Sequence, residues 1–136
     1  MERDGVPVTR LMTSGVLTVA ADTRVREAAE TLLEERVGSL VVVDEANQPV
    51  GMFTNTDLAE FVSGGKAGDE ATVSEYMSSR VVTIGVGESL RDAAARMISN
   101  RIHHLPVTDD AGDVVGMLST MDLTAYSSYT DGRDAE

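Results

Sequence analysis

Apolar residues recur at the spacing of an amphipathic helix in two parts of the chain. Positions i, i+3, i+4, i+7 and i+8 lie on one face of a helix, so each set predicts a helix with one buried stripe. We expect Asp22 or Thr23 to cap the first helix, and Ser89 with Asp92 to form a capping box at the start of the second. The two stripes are Val25, Ala28, Ala29, Leu32 and Leu33, and Leu90, Ala93, Ala94, Met97 and Ile98.

Short β-branched and apolar runs surround each predicted helix. Residues 16–19 and 81–84 precede the helices and predict strands. A continuous apolar run follows the first helix at residues 40–43, which is too short for a helix and favours a strand covered on both faces. In both places turn-forming residues then lead into a further apolar run, so a hairpin is predicted. A short closing helix is predicted after each hairpin, at residues 55–62 and 120–126.

This order of elements occurs twice because the chain contains an internal repeat. A shift of 65 positions places Met12 on Met77 and Asp57 on Asp122 without a gap. Such a match over the length of a small domain indicates duplication rather than chance. The predicted organisation is a first repeat at residues 8–62, a linker at 63–72, a second repeat at 73–127, and a flexible tail at 128–136.

The order strand, helix, strand, strand, helix in both repeats predicts an α/β fold. Neither copy buries its helices well alone, so the two repeats are expected to pack together with pseudo-twofold symmetry. Such symmetry creates two equivalent clefts between the repeats.

Each hairpin is followed by a motif that we call the closing motif: a glycine, two apolar residues, a hydroxyl residue, two further residues and an aspartate. Its hydroxyl and carboxylate are Thr54 and Asp57 in the first repeat, and Ser119 and Asp122 in the second. The unpaired N–H groups of a helix start can receive phosphate, and a carboxylate there can accept hydrogen bonds from the ribose diol. Alternatively, these residues only cap the helix and complement its dipole.

The double repeat resembles a tandem pair of CBS domains, also called a Bateman module. The resemblance rests on the sequence RIHHLPV at residues 101–107, on Asp109 after it, and on the closing motif of Gly116, Ser119 and Asp122. It covers nearly the whole chain, so we expect no attached enzyme or channel domain. The resemblance implies a module that senses an adenosyl ligand such as AMP, ADP, ATP or S-adenosylmethionine, with no other cofactor required.

The resemblance also implies which residues bind the nucleotide. The closing aspartate holds the ribose, the hydroxyl assists near the phosphate, and the other repeat supplies the adenine slot. One cleft then combines Thr54 and Asp57 with Ile102, His103, His104 and Pro106, and the other combines Ser119 and Asp122 with Thr23, Val37, Gly38 and Ser39. Relatives often carry basic residues at the two histidine positions. The first repeat instead has Gly38 and Ser39, so its cleft is expected to take an uncharged tail, a monophosphate or nothing.

The two adjacent histidines, His103 and His104, are the only ones in the chain. Neighbouring residues of a strand point to opposite faces, and no cysteine is present to complete a site, so we predict no metal site. No serine or threonine is distinguished by its spacing as a nucleophile, so no catalytic residue is predicted and the protein is not expected to be an enzyme. Alternatively, one histidine is solvated and the other is packed, without further role.

The composition restricts the partners. The chain has 23 acidic and 11 basic residues and a formal net charge of −12, which disfavours a nucleic-acid partner. No apolar run is long enough to cross a membrane and no signal peptide is evident, so a cytoplasmic location is expected. Lys66 is the only lysine. Acidity with few lysines resembles proteins of a salt-rich cytoplasm, although a merely acidic mesophilic protein is the alternative.

Two functions agree with these observations. The first is a regulatory module that binds adenine nucleotides and acts on a protein partner. The second is a non-catalytic dimerisation or docking module with empty clefts. A homodimer is expected in either case, through apolar residues of the closing helices that include Phe61, Tyr126 and Tyr129. Alternatively, Phe61 and Tyr126 fold back onto their own repeat.

Overall fold

A computed structural model of the chain describes residues 5–64 and 70–134, and only the backbone of residues 128–134. The predicted linker at 63–72 lies largely outside the described residues, as do residues 135 and 136 of the predicted tail. In chain order the elements are a 3₁₀ helix (Val8–Arg10), β1 (Thr13–Ser14), β2 (Thr18–Ala20), α1 (Val25–Glu35), β3 (Ser39–Val43), β4 (Pro49–Thr54), α2 (Asn55–Ser63), α3 (Val73–Tyr76), β5 (Ile84–Gly85), α4 (Leu90–Asn100), β6 (His104–Thr108), β7 (Val114–Ser119) and α5 (Thr120–Asp134).

The chain divides into two compact units. The first-repeat unit consists of the described residues between 16 and 81, and the second-repeat unit consists of residues 5–15 together with 82–134. In the first unit, β2 is parallel to β3 and β3 is antiparallel to β4. In the second, β5 is parallel to β6, β6 is antiparallel to β7, and β1 adds an antiparallel edge to β7. The predicted mixed α/β fold with two repeats of strands and helices is confirmed.

Most predicted elements are confirmed, and their bounds differ at the first strand of each repeat. Both long helices and both hairpins form where the pattern predicts them. The first strands begin later, at Thr18 and Ile84. In the second repeat the predicted capping box also forms: the Asp92 N–H donates to Ser89 Oγ at 3.1 Å, and the Ser89 N–H donates to Asp92 Oδ2 at 3.2 Å.

The start of α1 differs from the prediction. Arg24 is the N-cap residue and no side chain caps the helix, so neither Asp22 nor Thr23 has the predicted role. A neighbouring backbone segment replaces the side-chain cap, because the Val25 N–H donates to the Ala71 carbonyl at 2.9 Å. The carbonyl of Thr23 accepts the N–H of Val73 at 2.8 Å, which further joins the two segments.

The buried stripe of each long helix is narrower than the pattern predicts. Val25, Ala28 and Leu32 of α1 are buried, but Leu33 is 77% exposed. The matching residue of α4, Ile98, is also 77% exposed. In both helices the exposed side chain is the last residue of the predicted stripe, at i+8.

Each compact unit includes a short segment that, in the sequence, precedes the other repeat. We call these two the exchanged segments. Val8 is fully buried in the core of the second-repeat unit, where Ile84, Leu105 and Leu118 are its neighbours in the buried cluster. Val73, 65 positions later, is fully buried in the core of the first-repeat unit. The predicted boundaries at 8–62 and 73–127 follow the repeats along the sequence, whereas the compact units exchange these short segments.

In each unit, the exchanged segment passes close to the glycine of the closing motif. A Cβ added to Gly51 would lie 2.5 Å from Met77 Sδ, and one added to Gly116 would lie 2.5 Å from Met12 Sδ. The added Cβ would also lie 2.9 Å from the Ser78 carbonyl oxygen at Gly51 and 3.2 Å from the Thr13 carbonyl oxygen at Gly116, so backbone as well as a methionine side chain lies close to each glycine. Met12 and Met77 are thus equivalent residues in opposite units.

The closing helices also differ from the predictions. Phe61 packs edge-to-face on Tyr76, with ring centroids 5.2 Å apart, and Tyr126 packs against the core of its own unit. The alternative that these two rings fold back is therefore the one observed, while the side chain of Tyr129 lies outside the described part. Helix α5 continues to Asp134, beyond the predicted start of the tail at residue 128. Continuing a helix costs less than starting one, because each added residue gains one backbone hydrogen bond.

Candidate binding site

The first closing motif joins the end of β4 to the start of α2. Thr54 is the N-cap residue of α2, and Asp57 is the third residue of the helix, so the pair forms a capping box. The Thr54 N–H donates to Asp57 Oδ2 at 2.8 Å, and its hydroxyl donates to the same oxygen at 3.3 Å. Both residues are partly buried.

The second closing motif has the same geometry between β7 and α5. The Ser119 N–H donates to Asp122 Oδ2 at 2.9 Å, and the Asp122 N–H donates to Ser119 Oγ at 3.1 Å. The predicted role as caps is therefore observed in both repeats. It does not exclude ligand binding, because Oδ1 of Asp57 and of Asp122 accepts no hydrogen bond from any described residue. Each motif therefore presents one carboxylate oxygen that a diol could use.

The residues just before the second strand of each repeat lie beside the closing motif of the same repeat. In the first-repeat unit Ser39 pairs with Thr54, and the Asn55 N–H donates to the Gly38 carbonyl at 3.1 Å. In the second-repeat unit His104 pairs with Ser119. The antiparallel hairpin causes this proximity, since the first residue of one strand faces the last residue of the next. The predicted hairpin was therefore a signal from which this grouping could have been derived.

The two histidines have different environments. His103 is exposed and its carbonyl accepts the Thr120 N–H at 3.0 Å, whereas His104 is partly buried. Burial lowers the pKa of His104, the neighbouring His103 lowers it further, and the Asp122 carboxylate opposes both effects. His104 and Asp122 therefore interact electrostatically within one unit. The predicted grouping of these histidines with Asp57 stays a prediction.

A groove of about 270 Å³ in the second-repeat unit includes two of the predicted residues, Ile102 and His103. Arg101, which is not among the predicted site residues, adds a cationic side chain to its lining. Arg101 lies in the left-handed region with φ 56° and ends α4, and Arg36 does the same for α1 with φ 57°. Nothing in the sequence around Arg101 indicates that the side chain of this helix end lines a groove.

The remaining predicted residues lie at several places. Pro106 is fully buried in the middle of β6, opposite Met117, and is not part of the core cluster that contains its neighbours Leu105 and Val107. Val37 is exposed just after α1, and its N–H donates to the Leu32 carbonyl at 3.1 Å. Thr23 precedes α1, where its backbone bonds the segment around Val73.

The loop that enters the long helix differs between the repeats. In the second-repeat unit Arg96 binds Glu88 through two hydrogen bonds of 2.9 and 2.6 Å, and also binds the Thr83 carbonyl at 2.9 Å. The bond from Arg96 lowers the pKa of Glu88. The first repeat has threonine at both matching positions, and its loop borders an open cavity of about 600 Å³ near Asp22 and Asp44. This cavity lies at the end of β3 opposite to the closing motif.

Within the part of the chain that the structure describes, no three His, Cys, Asp or Glu side chains are grouped so that they could hold a metal ion. Among residues 5–64 and 70–134, no helix is both long and apolar enough to span a bilayer.

Comparison with known proteins identifies a family. The family model described as CBS domain matches the chain twice, at residues 8–64 and 73–129. A solved CBS-domain pair in complex with 5′-methylthioadenosine and S-adenosyl-L-methionine is 27% identical, with a TM-score of 0.81, and the match covers 89% of this chain and 98% of that one.

Longer relatives contain a similar segment. An uncharacterised protein of Methanopyrus kandleri is 33% identical over 104 residues, which are 76% of this chain and 53% of that protein. Homoserine O-acetyltransferase of Methanocorpusculum labreanum is 36% identical over 114 residues, which are 84% of this chain and 23% of the enzyme. This chain therefore spans about half of the first relative and about a quarter of the second.

Proposed function

The chain belongs to the CBS-domain family, and from that premise we propose that it is a non-catalytic regulatory module that binds an adenosyl ligand: AMP, ADP, ATP or S-adenosylmethionine. The solved pair that binds S-adenosyl-L-methionine supports this class of ligand. The match to homoserine O-acetyltransferase covers only 23% of that enzyme, which agrees with a regulatory segment rather than a catalytic one.

The observation that carries the proposal is the geometry of the two closing motifs. One oxygen of each aspartate holds the helix start, and the other has no partner among the described residues. The capping bonds fix the orientation of the carboxylate before a ligand arrives, so little side-chain entropy is lost on binding. We propose that Asp57 and Asp122 accept hydrogen bonds from the ribose hydroxyls of a ligand.

The two sites are proposed to differ in the charge of the ligand group that they accept. His104 lies beside Ser119 and Asp122, while the first repeat has Gly38 and Ser39 at the histidine positions. The resemblance groups His103 and His104 with Asp57, so phosphate-bearing ligands are expected to prefer the Asp57 site. The Asp122 site, grouped with Gly38 and Ser39, is expected to take an uncharged tail, a monophosphate or nothing. The position of His104 beside Ser119 in its own repeat favours the opposite preference, so calorimetry with the Asp57 and Asp122 variants decides between the two.

Calorimetric titration with variants of the full chain tests the proposal. A thermal-shift panel of AMP, ADP, ATP, S-adenosylmethionine and NADH first selects the ligand. Asp122→Asn keeps an oxygen that can accept the capping N–H but loses the charge. A charge-assisted hydrogen bond contributes about 1.5–3 kcal/mol, so this variant should bind roughly tenfold or more weakly.

Asp92→Asn is the matched control, because Asp92 has the same capping-box position in α4 but lies outside the closing motifs. It should bind the ligand like the parent. If no ligand of the panel raises the melting temperature, or if Asp57→Asn and Asp122→Asn both bind like the parent, the nucleotide proposal is wrong. A docking module with empty sites is then the better description.

A further inference from the structure

Met12 and Met77 occupy equivalent positions in the two exchanged segments. Met12 packs against the core of the second-repeat unit, and Met77 packs against the core of the first-repeat unit. The sulfur of each lies against the glycine of a closing motif, because a Cβ added to Gly116 or Gly51 would be only 2.5 Å from it. Each sulfur therefore fills the space over a glycine and joins an exchanged segment to a strand of its unit.

The backbone of each exchanged segment is paired with the same strand. In the first-repeat unit, the Met52 N–H donates to the Ser78 carbonyl and the Ser78 N–H donates to the Met52 carbonyl, both at 2.9 Å. In the second-repeat unit, Thr13 pairs with Met117. Ser78 and Thr13 directly follow the two methionines. A displacement of either methionine is therefore passed to the strand pairing of the next residue.

The thioether sulfur is the group of these residues that oxidants attack. The sequence has seven methionines and no cysteine, so thioethers are its only sulfur groups. Met12 and Met77 are both partly exposed to solvent. Oxidation to the sulfoxide turns a flexible apolar side chain into a polar one, and a polar group without a hydrogen-bond partner is unfavourable in a core.

We propose that Met12 and Met77 are modification sites, at which hydrogen peroxide forms methionine sulfoxide and thereby loosens the exchanged segments. The peroxide transfers one oxygen atom to the sulfur: an S–O bond forms, the O–O bond of the peroxide breaks, and water leaves. The sulfur loses two electrons in this step, and the peroxide oxygen gains them. The proposal involves no adenosyl ligand, so it can hold or fail independently of the proposed function.

The added oxygen has no place in the native contact. On the side of the glycine the space is already filled by the sulfur, and the carbonyl oxygens of Ser78 and Thr13 lie close to Gly51 and Gly116. A sulfoxide oxygen and a carbonyl oxygen are both acceptors, so they cannot form a hydrogen bond with each other. The sulfoxide therefore turns away from the core to reach water, and this movement draws the exchanged segment away from its strand.

Peroxide treatment of the full chain tests the proposal. Peptide mass spectrometry measures the oxygen added at each methionine, and hydrogen exchange measures the opening of each unit. We expect added oxygen at Met12 and Met77, together with about tenfold faster exchange of the Met52 and Ser78 amides. Oxidation at both sites with unchanged exchange would overturn the proposal.

Met97 and Met121 are internal references, because Met97 is 3% exposed in the core and Met121 is 74% exposed on α5. Oxidation of Met121 shows that the oxidant is active, and Met97 should stay unmodified while the fold is intact. The proposal is wrong if Met121 is oxidised and Met12 and Met77 are not. It is also wrong if Met97 is oxidised as fast as Met12 and Met77, because oxidation then follows unfolding of the whole unit.

Leucine substitutions separate the two proposed sites from the other methionines. A change from methionine to leucine conserves volume and apolar character, and cores tolerate it well. Met12→Leu should protect only β7 from the effect of peroxide, and Met77→Leu should protect only β4. Each variant is compared with and without peroxide, so that any effect of the substitution itself is subtracted.

Met121→Leu is the matched control for these variants, because it removes an exposed methionine outside the exchanged segments. After peroxide treatment, its β4 and β7 amides should exchange as fast as those of the treated parent. If β7 of Met12→Leu and β4 of Met77→Leu also open as readily as in the treated parent, the two sulfoxides are not the cause of the loosening and the proposal is overturned.

Discussion

At the scale of single residues, His104 combines partial burial with a position beside a closing motif. Burial disfavours the charged imidazolium, and the nearby His103 adds to this effect, so the pKa of His104 is lowered in the folded protein. Below the ordinary value of about 6.5, the unfolded chain therefore binds a proton more readily than the folded one. The contribution of His104 to stability is complete above that pH and is lost as the pH falls through it.

We therefore expect His104→Gln to reduce the loss of stability on acidification. Urea unfolding of parent and variant at about pH 7.5 and about pH 5.5 gives the measurement, and the parent should lose more free energy of unfolding than the variant. His103→Gln is the control, because it removes the neighbouring, exposed histidine and leaves the partly buried one in place. Equal pH dependence in the parent and His104→Gln would contradict this account of His104.

The closing aspartates show how one residue can have two roles. The sequence offered capping and ligand binding as alternatives, but Asp57 and Asp122 use only one carboxylate oxygen for the cap. Substitution by alanine therefore removes the reciprocal bond of the capping box, which costs about 1 kcal/mol of stability, in addition to any effect on a ligand. Only a substitution that keeps an acceptor oxygen separates the two roles.

At the scale of elements, each exchanged segment stabilises the core of the unit in which it is buried, and not the repeat that follows it in sequence. The segment around Val8 completes the second-repeat unit: the Val8 N–H donates to the Glu88 carbonyl at 3.0 Å, and the Leu90 N–H donates to the Val6 carbonyl at 2.8 Å. Helix α3 has the corresponding place in the first-repeat unit. The effect of a substitution in these segments should therefore appear in the repeat that is more distant in sequence.

Hydrogen exchange can test this expectation with a matched pair of variants. Val8→Ala leaves a cavity in a closed core and should cost about 2 kcal/mol, with faster amide exchange mainly in α4, β6 and β7. Val73→Ala, at the equivalent position, should act mainly on α1, β3 and β4. Faster exchange in α1 and β3 after Val8→Ala, with α4 unchanged, would show that the exchanged segments are not as described.

At the scale of the whole molecule, the net charge of −12 is the dominant property. The Debye length is about 30 Å in 0.01 M salt and about 3 Å in 1 M salt, so repulsion among the carboxylates is hardly screened in dilute buffer. The sequence predicts that this acidity is an adaptation to salt, so we expect the melting temperature to rise between dilute buffer and molar KCl. Comparing KCl with NaCl at equal ionic strength separates screening from specific ion binding. A melting temperature that stays constant or falls would contradict the adaptation to salt.

Local pattern was sufficient to predict the repeat, the two long helices, the hairpins and the closing motifs. Helix periodicity and capping depend on residues three or four positions apart, and a hairpin depends on a short turn, so the information is contained in a few neighbouring residues. The residues of the capping box at Ser89 and Asp92 illustrate this, because nothing outside the first helical turn is needed to form it.

The tertiary structure alone decided which core Val8 enters, that Leu33 and Ile98 lie outside the covered stripe, and that backbone from another segment caps α1. These features depend on contacts between distant parts of the chain. A duplicated sequence makes them hard to predict, because each repeat presents almost the same apolar pattern and either core could accept the same segment. The choice depends on which distant segments of the chain come together, and a one-dimensional pattern does not contain that information.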